Sequence, residues 1–176
     1  MGLKTALIEM IVVELLRSMV ESTRTWRERA YQNLQASGCN DLDYRPSTGM
    51  SAMGWLLAHQ AAVYDFVLNM LIRGDSPKNS EFFYSYRGDS SDSGDWKGTS
   101  LQEIEAYYDS SESDFISWIE NASAEDLTRR LDETCISQYH QGMRIIEVIS
   151  DMFAHLNHHN GHLSAINGDW CRQKRS

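Results

Sequence analysis

Proline is almost missing from this chain of 176 residues: Pro46 and Pro77 are the only two. A proline inside a helix removes a hydrogen bond and clashes with the preceding turn. With so few breakers, most of the chain is open to long helices. Cysteine is scarce too. Cys39, Cys135 and Cys171 are odd in number and show no CxxC or CxxxC spacing. This argues against a zinc–thiolate site and for free thiols in a reducing cytoplasm. Positive charge is also short, with 16 Lys and Arg against 25 Asp and Glu and a formal net charge of −9. The only basic cluster is Arg172, Lys174 and Arg175 in the tail. Nucleic acids and anionic membranes require a basic patch, so neither is expected as a partner.

Long apolar runs are absent as well: none approaches the ~20 residues of a membrane span. The apolar N-terminal stretch is interrupted by Glu9, Glu14 and Arg17, which the apolar region of a signal peptide does not tolerate. Ala6 stands where myristoylation after Gly2 needs Ser or Thr. No Gly-rich phosphate loop, nucleophile motif around Ser or Cys, or internal repeat occurs. The expectation is one cytoplasmic domain spanning 1–176.

What is present is an ordinary folding composition, 41% apolar and 23% charged with five Trp, enough to bury a core at this length. Leu7, Met10, Ile11, Leu15, Val20, Trp26 and Leu34 recur at helical spacing over 4–36, and Gly38 is a natural stop. A second helix is expected from about Ser51 to Arg73, stopping at Gly74. Residues 74–99 read as a long crossing, with a short element at Glu81–Tyr86 and an acidic, serine-rich loop at 89–95. Such connections are often functional. Ser100 and Glu103 form a capping-box pattern opening a third helix, which carries Ile104, Tyr108, Phe115, Trp118 and Ile119. Ser123 with Asp126 suits a short following helix, and 131–141 suits a small hairpin. The fourth helix is expected from about Met143 to near Ile166, before Gly168. The fold class is therefore all-α, a four-helix bundle with a long crossover between helices two and three. Glu103/Glu105, Glu112/Asp114 and Glu125/Asp126 read as solvated faces.

Histidine carries the chemistry. Four of the six fall within eight residues: His155, His158, His159 and His162. On a helix, His155 and His159 are one turn apart on one face, so two imidazoles can reach one ion. On helix two, His59 is the polar member of a stripe made by Trp55, Leu56, Ala62, Val63 and Phe66. A buried imidazole needs a partner, which can be a metal, a carboxylate or a carbonyl. Asp151, four residues before His155, is placed either to orient a ligand histidine or to face solvent. His140 is expected in an exposed loop.

Two segments resemble the DinB/YfiT-like superfamily of small metal-binding bundles. Met50-Ser-Ala-Met-Gly-Trp-Leu-Leu-Ala-His59 is similar to the helix-two segment that ends in a ligand histidine. His155-Leu-Asn-His-His159-Asn-Gly161-His-Leu163 is similar to the family's HxxxHRGQ pattern. The resemblance implies an up-down-down-up bundle and His59, His155 and His159 as ligands of one divalent metal ion, zinc or nickel ahead of iron or manganese. It implies a small-molecule substrate, a low-molecular-weight thiol among the candidates, and a thiol S-transferase-like activity. A metal-dependent hydrolase and a non-catalytic stress or regulatory protein stand as alternatives. A homodimer is expected. Asn160 and His162 depart from the family's Arg and Gln, and Gly161 matches its glycine.

Overall fold

The computed structural model describes residues 3–47, 49–88 and 94–175. The side chains of residues 3–9, Leu7 among them, and most of the acidic, serine-rich loop (89–93) lie outside what is described. Helix α1 runs Leu3–Ala36. It ends as Gly38 foretells: Gly38 takes φ 76°, its N–H donates to Gln35 O at 2.9 Å, and that of Cys39 to Leu34 O at 2.9 Å. This pair of bonds is a Schellman closure, which needs a left-handed residue. Val20 and Leu34 are buried, but Met10, Ile11, Leu15 and Trp26 are each more than half exposed. With 34 residues α1 is the longest element, and apolar spacing does not tell which part of an overlong helix finds a neighbour.

Helix α2 spans Met53–Asp65, two residues later than expected. The helix continues as a π-helical segment, Phe66–Arg73, to Gly74 at φ 72°. Every residue of α2 is buried, so the stripe around His59 is one part of an all-round core surface. By length and hydropathy Met53–Arg73 is long and apolar enough to cross a membrane, contrary to expectation, yet 89% of its apolar window is buried inside the protein. Buried on all sides, it collects polar partners. Asp65 accepts from the Lys78 main-chain N–H at 2.9 Å and from the Tyr107 hydroxyl. That ties the start of the crossing to the core.

Helix α3 is Ser80–Tyr86, capped by Asn79, and α4 is Leu101–Asn121, opened by the Ser100–Glu103 capping box. Glu112 on α4 is fully buried, not solvated: it meets Arg24 at 2.6 Å and accepts from the Tyr108 hydroxyl at 3.0 Å. Burial pushes its carboxyl pKa up, while Arg24 pulls it down. Helix α5 is Ala124–Thr128, opened by a Ser123–Asp126 capping box. The expected hairpin is not formed. Among the described residues there is no strand, and 131–143 is a loop pinched by one antiparallel bridge, Arg130 to Arg144, with a 3-10 turn at Gln138–His140.

Helix α6 is Ile145–Gln173, running through Gly168 where a stop was expected. Tertiary contact holds the extra turns. The Trp170 indole donates to Ser37 O at 3.1 Å, and Asp169 accepts from the Tyr44 hydroxyl at 2.7 Å. These contacts to the end of α1 and to the loop after it offset the modest cost of a helical glycine, about 1 kcal/mol. Helix α1 packs on α6, and α2 packs on both α4 and α6. His59 on α2 and the histidines of α6 therefore face each other by construction.

Candidate metal centre

The structure brings His59, His155 and His159 together, with one nitrogen of each within 4.8 Å of the others. The Nε2 of His155 lies 2.9 Å from the Nε2 of His59 and 3.0 Å from that of His159. Two ligands of one ion with bonds of about 2.1 Å stand at roughly this separation. The tautomer of His59 is fixed from behind: its Nδ1 lies 2.6 Å from the main-chain oxygen of Tyr86. A carbonyl only accepts, so Nδ1 carries the hydrogen and Nε2 turns a lone pair toward the other two rings. One proton held between three such nitrogens cannot satisfy them all. A divalent cation can, and the donor set fits one.

Burial holds the His155 and His159 rings neutral. His59 and His159 are buried, and His155 sits at the solvent edge. The pKa of His159 is pushed down to about 2, first by burial and then by the neighbouring imidazoles of His59 and His155. That of His155 is lowered by burial, then by His158, against a raising effect from Asp151. Neutral imidazole is the form that binds metal. Trp55 stacks on His59 with ring centroids 4.5 Å apart and planes 10° from parallel.

His158 and His162 pair with each other, ring centroids 4.2 Å apart, and stand outside the group of three. Asn160 is buried where the family pattern has Arg. Its Oδ1 accepts from the Gln60 side-chain amide Nε2 at 2.9 Å, and its Nδ2 donates to Thr23 O at 3.2 Å. The position is thus an amide clasp between α1, α2 and α6. Gly161 is exposed with open space where a Cβ would go, so no close helix approach accounts for it.

The three histidines border a cavity of about 450 Å³, walled by Trp55, Val63, Phe66, Val67 and Met152. Trp55 and Phe66 follow from the His59 stripe. The crossing contributes Arg87 and Gly88. At Gly88, φ is 69° and a Cβ would come within 3.1 Å of the His59 ring. Sequence reasoning missed His140, which is half-buried on the cavity wall. Its Nε2 is 3.6 Å from Asp151 Oδ2. Asp151 thus pairs with His140, not with a histidine of the triad. The one sequence signal for His140 was Gly142, which permits the turn that returns the loop at φ 74°.

A family model described as the DinB superfamily matches residues 20–163. Neither a curated protein nor a solved structure matches the chain.

Proposed function

The chain belongs to the DinB superfamily, and on that footing we propose that it is a metal-dependent enzyme activating a thiol or a water for attack on a small electrophile. His59, His155 and His159 hold the ion. The observation that carries this reading is the position of their Nε2 atoms beside a cavity of about 450 Å³ with apolar walls. That volume suits a small organic molecule. A divalent ion on three neutral imidazoles keeps its full charge and acidifies the water or thiol it takes up. The chain's residues do the rest. Tyr86 O orients His59, Trp55 backs its ring, and Phe66, Val63 and Met152 keep bulk water from the reacting groups. The thiol S-transferase-like reaction is preferred to simple hydrolysis, since apolar walls suit an organic co-substrate.

Zinc or nickel is the preferred ion, ahead of iron or manganese; imidazole suits zinc, nickel and iron, whereas manganese favours oxygen ligands. The protein is placed in the cytoplasm, in keeping with three free thiols. The helices run up-down-down-up, and two copies pair. The exposed Met10, Ile11, Leu15 and Trp26 of α1 support pairing, and light scattering should give twice 20.2 kDa.

The test is metal analysis of untagged protein, then cobalt substitution and titration with a small thiol. Thiolate coordination should raise a near-ultraviolet charge-transfer band in the wild type and none in His159→Ala. A metal-loaded wild type showing no band would rule out the thiol reaction. If hydrolysis of activated esters were also missing, a non-catalytic metal-binding role would replace the enzyme.

A further inference from the structure

The loop between α5 and α6 carries a second titratable group to the cavity. The loop's neck is shut by main-chain bonds, Leu131 N–H to Met143 O at 2.9 Å and Ile145 N–H to Arg129 O at 2.9 Å. The Arg129 guanidinium donates to Ile72 O at 2.7 Å and pins the neck to the end of helix two. At the far side, the 3-10 turn places His140 on the cavity wall, across from Phe66 with ring centroids 6.2 Å apart. Its Nδ1 is 2.6 Å from Ser137 Oγ, and its Nε2 is 3.6 Å from Asp151 Oδ2. That last distance is too long for a hydrogen bond but short enough for a carboxylate to stabilise a cation. Asp151 stands four residues from His155, about 6 Å along α6. His140 and the three histidines line the same cavity, His140 from the loop and the triad from α2 and α6.

We propose that His140 is the general base of this site and that Asp151 is its positioning residue. The inference rests on the metal-dependent reading above. The step balances simply. The O–H or S–H bond of the bound nucleophile breaks, its electron pair stays on oxygen or sulfur, and the proton goes to His140 Nε2. The neutral ring becomes an imidazolium beside the Asp151 carboxylate. The same proton then passes to the leaving group of the electrophile. Burial lowers the pKa of His140, while Asp151 raises it, so at neutral pH the ring is the unprotonated form that a base requires. The titratable or charged groups around it are Asp151 on α6, Tyr139 on its own loop, Arg87 across the cavity, and His59, His155 and His159 of the triad.

Two measurements on the full chain decide it. The first follows the His140 ring by NMR across pH in metal-free and zinc-loaded protein. Asp151→Asn should lower its titration midpoint, and zinc should lower it further. The second counts protons released when acetohydroxamic acid binds the cobalt-loaded protein as its anion. The wild type should release fewer protons than His140→Asn, because the bound anion draws part of the proton onto the His140 ring, whereas His140→Asn should release about one per ligand bound. Asparagine retains a polar group near Ser137 and removes Nε2, so a merely structural role predicts no change. Equal release from both proteins, or a midpoint indifferent to Asp151→Asn, overturns the proposal. Failure of the wild type to take up zinc or cobalt overturns the metal reading itself; failure of the metal-loaded wild type to bind the hydroxamate overturns the open position that the reaction needs, and the base falls with either.

Discussion

The Nδ1 of His59 lies 2.6 Å from the main-chain oxygen of Tyr86, and this bond sets which ring nitrogen faces the α6 histidines. The carbonyl belongs to the last residue of a short helix, just before Gly88 approaches the same imidazole. Gly88→Ala would force a side chain into a left-handed backbone position and within 3.1 Å of the His59 ring. A contact that orients a ligand histidine is worth about 10–100-fold in metal affinity. Competition titration with a chromophoric chelator should show a loss in that range for Gly88→Ala, with helical content unchanged.

Replacing His59, His155 or His159 singly with Ala should weaken metal binding by at least about 100-fold, because each supplies one of only three protein donors. Replacing His158 or His162 should change it by no more than a few-fold. Retention of stoichiometric metal by His155→Ala would overturn the assignment. Chelating the metal should lower the melting temperature, but the far-ultraviolet circular dichroism should stay helical, since the core does not depend on the ion.

The metal-free protein should lose stability as the pH falls from about 7 to about 5. The folded-state pKa of His159 is depressed to about 2, and those of His140, His155 and His162 are also lowered. Below the ordinary histidine pKa of about 6.5 the unfolded chain takes up protons that the folded chain refuses. Stability is thus complete above that pH and declines below it. Melting curves at several pH values should show the decline, and His159→Ala should flatten it.

Glu112→Ala should destabilise the fold by about 3 kcal/mol without moving metal affinity. The change leaves the Tyr108 hydroxyl and the Arg24 guanidinium without the acceptor they share at the core. Urea denaturation measures the first effect, and the chelator competition the second.

Gly161→Ala should stabilise by about 0.5–1 kcal/mol. The glycine lies within α6, its φ is not positive, and a Cβ there meets nothing. Thermal melts should rise by a few degrees at most.

The sequence reading located the helices closely where local chemistry decides them. Gly38, Gly74, Ser100 and Ser123 stop or start elements through their own backbone or side-chain bonds. The histidine triad was legible for a similar reason: the i, i+4 pair and the polar group on an apolar helix are both periodic signals. What stayed hidden depends on contacts between distant segments. Gly168 gave a false stop because Trp170 grips Ser37 at the end of α1, 133 residues earlier in the chain, and Asp169 grips Tyr44 in the loop that follows. Glu112 looked solvated because its partners Arg24, Tyr64 and Tyr108 come mostly from other helices. His140 lay in a stretch with no periodicity at all.

The pinched neck of the 131–143 loop makes that stretch an exchangeable cassette. Its ends are joined by backbone bonds and by the guanidinium groups of Arg129 and Arg130 at the neck itself, which ask nothing of the residues beyond them. Length and composition past the neck can drift while the bundle and the three histidines stay in place. Whatever side chain stands at the tip meets the same cavity. A lineage could in this way change the acid–base chemistry over one scaffold by altering a dozen residues, and loop grafting between related bundles offers the same route by hand.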